Sequence, residues 1–277
     1  MFLTARADKA ELREANTGGS MDSIYQIFAF IYGLCVGSFM NVCIYRVPLN
    51  RSLIRPASAC PRCGRPIPFY DNIPVISFLL LRGRCRNCGA GISPRYPLVE
   101  LLGGLTALAV VTRFGPSLPA LVYFIFISAL IVVTFIDIDH RIIPDVISLP
   151  GIVLGLAASF LLPRTSLVDA LLGILLGGGS LLAVAVAYRL VAKKEGMGMG
   201  DVKLLAMIGA FIGWQGVLFT IFVGSLVGSL VGFVIVLAQR RKDLKLAVPF
   251  GPFLSLGAIL YVFAGPALID WYFRLAR

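Results

Sequence analysis

The chain has one histidine, His140, and only 14 acidic residues among its 277. A single histidine excludes the HExxH helix of a zinc peptidase, which needs two imidazoles one turn apart. A Ser–His or Cys–His hydrolase would have to use His140, and no GxSxG-type nucleophile turn accompanies it. Neither a GxxxxGK[ST] phosphate loop nor a GxGxxG turn occurs, so ATP-driven transport and a Rossmann cofactor domain have no support. Charged residues make up 14% of the chain, too few for a soluble domain of this length. The N-terminus lacks the pattern of a cleaved secretory signal, so the first apolar run is expected to stay as an anchor.

What the chain has in abundance is apolar side chain, 58% of it. Eight apolar runs lie at about 24–45, 98–112, 119–136, 146–162, 168–190, 202–213, 215–239 and 248–271. Runs of ~20 residues cross a bilayer as helices. The expected fold is therefore an all-α polytopic membrane protein with about eight transmembrane helices. The runs at 98–112 and 202–213 are short and require tilt, extension by their flanks or partial insertion. The expected organisation is an N-terminal tail over 1–23, a first transmembrane helix over 24–45, a four-cysteine module over 46–97 and a transmembrane domain over 98–277. Met21 is an alternative start to the chain.

The net charge is +11, from 25 Lys and Arg against 14 Asp and Glu. The basic residues cluster between apolar runs, which the positive-inside rule explains and nucleic-acid binding does not. Residues 46–97 carry nine arginines and one acid, Asp71. Arg189, Lys193, Lys194 and Lys203 flank a second loop, and Arg240, Arg241, Lys242 and Lys245 mark a third. The alternate loops hold only Arg113 and Arg164. With eight spans all basic loops face the cytoplasm, as do the ends of the runs that carry Asp137 and Asp201.

Four of the six cysteines form Cys60-Pro61-Arg62-Cys63 and Cys85-Arg86-Asn87-Cys88, each followed by glycine. A CxxC loop aims two sulfurs at one point, and two such loops at this spacing supply a tetrahedral zinc site. A reducing cytoplasm disfavours two disulfides instead. Four thiolates leave no open position, so the zinc is structural. Cys35 and Cys43 read as packing residues of the first span.

Asp137 follows an apolar run within Phe135-Ile136-Asp137-Ile138-Asp139-His140, and Asp201 closes Gly196-Met197-Gly198-Met199-Gly200-Asp201. Carboxylates at the membrane are costly and are functional candidates by default. Two that meet can share a proton and act as an aspartyl hydrolase. Asp137 and Asp139 point apart on a helix, so only one of them faces Asp201, and geometry does not say which. Asp201 has a second reading, as the N-cap of a helix starting at Val202. Asp145 after Pro144 reads as a helix-start acid. Gly198 and Gly200 permit close approach of a substrate strand. Gly33/Gly37, Gly151/Gly155, Gly173/Gly177 and Gly224/Gly228/Gly232 repeat at four-residue spacing and read as packing faces between spans.

Taken in order, these segments resemble the type IV prepilin peptidases, bifunctional leader peptidase/N-methyltransferases of the GxGD aspartyl membrane protease group. The resemblance runs from about Ile24 to the C-terminus. It rests on Gly37-Ser38-Phe39-Met40-Asn41-Val42, Tyr45-Arg46-Val47-Pro48, both CxxC pairs, Asn72-Ile73-Pro74, Ile92-Ser93-Pro94-Arg95-Tyr96-Pro97, Glu100, the Asp137 motif and Gly198-Met199-Gly200-Asp201. Met40 stands where the family commonly has leucine. The resemblance implies that Asp137 and Asp201 are catalytic, selecting Asp137 over Asp139, and that 98–277 is the peptidase domain. It implies prepilin and pseudopilin substrates of type IV pilus and type II secretion systems. Their short basic leaders are cleaved after glycine at the cytoplasmic face of the bacterial inner membrane. The new N-terminus is then methylated with S-adenosylmethionine. Methyl transfer is expected in or near the cysteine module, with Glu100, Gly37 and Asn41 as participants. The alternatives are a peptidase without methylation, and a non-catalytic scaffold carrying a zinc ribbon.

Overall fold

The computed structural model describes residues 4–193, 198–239 and 249–275, with side chains from residue 22 onward except those of 239, 273 and 275. Lys194, Arg240, Arg241, Lys242 and Lys245 of the charge pattern lie outside the described residues, as do the side chains around Met21. The helices are α1 (Thr4–Arg46), α2 (Ile76–Leu80), α3 (Arg95–Phe114), α4 (Leu118–His140), α5 (Asp145–Ala158), α6 (Leu167–Ala192), α7 (Met199–Gln239) and α8 (Gly251–Leu275). Short 3-10 turns cover Val47–Leu49 and Phe69–Asp71. The β-pairing among the described residues consists of two isolated bridges.

Each of the eight apolar runs contains a helix or one arm of a helix. Among the described residues, six helices are long and apolar enough to cross a membrane: α3, α4, α6, α7 and α8, and α1 from Asp22. The run at 98–112 is extended by its flanks into the 20 residues of α3. The run at 146–162 stops early. The 14-residue α5 ends where the Ser159 hydroxyl bonds the Leu156 carbonyl at 2.7 Å, four residues before Pro163. At 1.5 Å per residue α5 reaches only ~21 Å.

α7 has 41 residues, about twice the length a ~30 Å hydrocarbon core requires. Its backbone breaks at Gly213, with φ 71° and ψ 179°. A Cβ built on Gly209 would stand 2.9 Å from Val217 Cγ2. Eight residues of straight helix would separate those positions by ~12 Å. α7 therefore folds back at Gly213, and its two arms are the runs at 202–213 and 215–239. Glycine is required at the bend, because other residues rarely adopt a φ of this sign.

Two compact units are present, Met1–Val42 with Ile54–Phe124, and Cys43–Leu53 with Ile125–Arg277. In the first, α1 packs on α3 through glycines. A Cβ on Gly37 would lie 2.6 Å from Glu100 Cα, and one on Gly103 would lie 2.9 Å from Gly37 Cα. Such close backbone approach is how spans associate where lipid removes the hydrophobic drive. Ser117 accepts the Ala120 N–H at 3.3 Å and starts α4 as its N-cap.

In the second unit Phe126, Ile127, Leu130, Val133 and Ile136 of α4 are buried. Phe126 stacks on Phe211 of α7 at 4.4 Å. Gly173 and Gly177 of α6 meet the backbone at Gly209 and Leu205 of α7, and Gly151 and Gly155 of α5 meet Met207 and Ala210. Gly224 and Gly228 pack on Phe253 of α8, whereas the Cβ position of Gly232 has no neighbour within 4 Å among the described residues. Ser166 begins α6 with a reciprocal capping box to Asp169.

Candidate functional site

Asp137 lies three residues before the C-terminus of α4, on the face turned toward the interior, and is 5% exposed. Its Oδ2 accepts the Gly251 N–H at 3.0 Å. Gly251 is the first residue of α8, so this N–H has no partner within its own helix, and it carries the positive end of the helix dipole. The carboxylate satisfies the helix and the helix fixes the carboxylate. Asp139, two residues on, is exposed. The Arg141 N–H closes α4 on the Asp137 carbonyl at 2.9 Å, with Arg141 in the left-handed region at φ 56°.

Asp201 stands in the first turn of α7, close enough to Asp137 for the two carboxyl groups to interact electrostatically. α7 already starts at Met199, so Asp201 is the third helical residue and not the cap of a helix beginning at Val202. Gly200 is pressed against Ile143, its Cβ position 2.9 Å from that of Ile143, and the Cβ position of Gly198 meets only Gly200 N, at 3.9 Å, among the described residues. The turn after α4 thus seats the start of α7.

A second contact fixes the same turn. Lys203 Nζ donates to both oxygens of Asp145, each at 2.8 Å. Asp145 is the first residue of α5. The helix-start acid is therefore also the counter-ion of a lysine two residues beyond Asp201, which draws that cation toward α5.

The cysteine module, in the first unit, is built from two matching knuckles. In one the Cys60 N–H bonds the Arg65 carbonyl at 3.0 Å and the Gly64 N–H bonds the Cys60 carbonyl at 2.9 Å. In the other the Cys85 N–H bonds the Ala90 carbonyl at 2.8 Å and the Gly89 N–H bonds the Cys85 carbonyl at 2.9 Å. Gly64 and Gly89 turn the chain with φ of 69° and 68°. All four sulfurs lie within 4.8 Å of one another, and Cys60 and Cys88 are 3.8 Å apart. Zn–S bonds of ~2.3 Å at tetrahedral angles require sulfurs about 3.8 Å apart, so the cluster fits zinc. The cysteines are free thiols and not disulfides. The Cys63 N–H, followed by that of Arg62, holds the Cys60 thiol down at about 6, which favours a thiolate ligand. Behind the knuckles Arg86 grips Asp71 through two bonds of 2.8 and 2.6 Å.

Glu100 of α3 is 9% exposed. Its Oε2 accepts the Val75 N–H at 2.7 Å, and the Ser38 hydroxyl is a second partner. Val75 has a φ of 61°, unusual for a β-branched residue. Asn41 donates to the Tyr96 carbonyl at 3.0 Å, and Gly37 packs against the Glu100 backbone. Glu100, Gly37 and Asn41 are thus brought together where α1 meets α3. Both of these donors to Glu100, an N–H and a hydroxyl, are neutral groups.

Sequence reasoning passed over Gly251 and Lys203. Pro249-Phe250-Gly251-Pro252 marks a helix start through its prolines, but nothing in it says which side chain the first N–H will meet.

Fold and site together define a class: a polytopic helical membrane protein with a carboxylate pair at the ends of two spans and a four-thiolate module. A family model described as Bacterial Peptidase A24 N-terminal domain matches residues 31–114, and one described as Type IV leader peptidase family matches residues 124–233. The chain is 43% identical over 223 residues to the prepilin leader peptidase/N-methyltransferase of Myxococcus xanthus (strain DK1622), covering 80% of this chain and 67% of that protein. It is 37% identical over 273 residues to the protein of the same name from Aeromonas hydrophila, covering 90% and 94%. It is 38% identical over 275 residues to that of Pseudomonas aeruginosa, covering 91% and 94%. No solved structure matches the chain. The chain belongs to the type IV leader peptidase family.

Proposed function

We propose that the protein removes the short basic leader from type IV prepilins and pseudopilins, and then N-methylates the exposed terminal residue. Cleavage takes place at the cytoplasmic face of the bacterial inner membrane, a side supported by the basic loops. The observation that carries the reading is the approach of Asp137 and Asp201 at the ends of α4 and α7, with Asp137 seated on the Gly251 N–H. The names of the relatives support prepilins as substrates.

In this reading the dyad shares one proton. The ionised carboxylate takes a proton from water as the oxygen attacks the scissile carbonyl, and the protonated one hydrogen-bonds the carbonyl oxygen. Collapse of the tetrahedral intermediate returns a proton to the leaving amine. Gly198, whose Cβ position meets only Gly200 N among the described residues, lets the substrate backbone approach Asp201, while Gly200 seats the start of α7 on Ile143. Burial of Asp137 limits competing water and strengthens electrostatic contacts with the reacting atoms.

The four cysteines hold a structural zinc that ties the two knuckles together. The methyl donor is S-adenosylmethionine, which supplies an electrophilic methyl group when bound. Glu100, with Gly37 and Asn41, would hold it, because a buried carboxyl whose partners are an N–H and a hydroxyl could take the cationic sulfonium as its counter-charge. Asp137→Asn and Asp201→Asn, made separately, each abolish leader cleavage while the protein stays folded. Cleavage at the wild-type rate by either variant would refute the dyad. Glu100→Gln keeps cleavage and loses methylation; an equal loss of both refutes the assignment of Glu100.

A further inference from the structure

We infer that the cysteine module docks on anionic lipid headgroups of the bilayer that the chain spans, through the apolar segment 69–80 and the arginines that follow it. Phe69 is 87% exposed, Leu79 67% and Leu80 77%. Side chains of this size rarely stand so free on a small polar module unless the surface has a partner. They belong to one patch. The Ser77 hydroxyl bonds the Tyr70 carbonyl at 3.0 Å, which fixes α2 beside the Phe69–Asp71 turn. Phe69 and Tyr70 meet edge to face at 5.4 Å. Arg82 and Arg84, both exposed, follow directly on α2.

Charge selects the partner. Residues 46–97 hold nine arginines and one acid, and that acid, Asp71, is committed to Arg86. Even with the two negative charges of a zinc tetrathiolate, the module remains strongly positive. Aromatic and apolar side chains beside arginines are the composition of a surface that enters the headgroup region of an anionic leaflet. The module is also tethered at both ends: α1 ends at Arg46 and α3 starts at Arg95, and both helices are candidate spans. A basic, apolar surface held next to a membrane meets lipid continuously. A substrate segment carrying a basic leader would be repelled by the same arginines. This docking does not depend on the catalytic reading.

The test uses the full chain in proteoliposomes, in a W214F/W271F background, with Leu80→Trp as reporter and Phe69→Trp as a second reporter. Arg62→Trp, at an exposed position on a knuckle, is the comparison. The expected result is that both reporters are quenched by brominated lipids and shielded from acrylamide relative to Arg62→Trp, more so when the vesicles contain phosphatidylglycerol. Arg82→Gln with Arg84→Gln should lower the docked-to-free ratio by about fivefold per arginine. Acrylamide access equal to that of Arg62→Trp, without lipid quenching, overturns the proposal. Shielding that arises only after a prepilin is added overturns it too, and assigns the patch to the substrate.

Discussion

Replacing Gly251 with alanine should remove most of the peptidase activity without unfolding the protein. An alanine Cβ would stand 2.7 Å from Asp137 Oδ2 and 3.3 Å from its Cγ, while its third neighbour, Ile143 Cδ1, lies at an ordinary 3.4 Å. The backbone at Gly251 is not in the left-handed region, so alanine fits the helix start, and only the tip of the Asp137 side chain must move. That movement breaks the 3.0 Å bond from the Gly251 N–H. A hydrogen bond to a charged group contributes about 1.5–3 kcal/mol. At ~1.36 kcal/mol per decade this is roughly a 10- to 100-fold fall in kcat. Misplacement of a reacting group by about 1 Å carries a cost of the same order. KM should hardly change, because the substitution acts through the tip of the Asp137 side chain. The assay is single-turnover cleavage of a purified prepilin, with thermal stability followed in parallel. The stability cost of Gly251→Ala should disappear in an Asp137→Ala background, where there is no carboxylate to displace. Wild-type kcat in Gly251→Ala refutes the seating of Asp137 by α8.

Three further outcomes follow from named contacts. Lys203→Ala or Asp145→Ala breaks a partly exposed ion pair worth under about 1 kcal/mol; Tm should shift little, kcat should fall severalfold, and the charge-reversed double variant should recover it. Elemental analysis of clean protein should find one zinc per chain, lost when Cys60 and Cys63 are both replaced by serine; metal-free wild-type protein contradicts the tetrathiolate. The hydrogen bonds from Arg86 hold Asp71 below the usual carboxylate range. A depressed carboxyl contributes stability that is complete above its unfolded value of about 3.9 and is lost as pH falls through the lower folded value. Protease resistance of the module should therefore be flat from neutral pH down to about 5 and decline only in stronger acid; Asp71→Asn should lower it at neutral pH, and its gap to the wild type should close in acid, where Asp71 is protonated.

Much of the fold is legible in the chain because lipid leaves few alternatives. An apolar run must be helical to satisfy its backbone, so each of the eight runs could be recognised as a helix. Lengths were harder to read. Flanking Arg95–Pro97 and Arg113–Phe114 add turns to α3 that hydropathy does not count, and a serine hydroxyl bonding its own helix stops α5 within an apolar run. The fold-back at Gly213 is marked only by a glycine between two runs. The cysteine cluster was legible because its ligands are local pairs at fixed spacing. The surroundings of the aspartates were less so. Asp137 meets Gly251 across 114 positions and Asp145 meets Lys203 across 58, and nothing local encodes such pairings. The exposure of Asp139 beside buried Asp137 is the distinction that helical spacing alone left open.

The most direct test of the account is the mass of the product N-terminus. Purified protein is incubated with a prepilin and isotope-labelled S-adenosylmethionine, alongside Asp137→Asn and Asp201→Asn. The account predicts a mature pilin starting immediately after the leader glycine and carrying one labelled methyl group with the wild type, and uncut prepilin with each variant. An intact leader with folded wild-type protein, or correct cleavage by either aspartate variant, would contradict it.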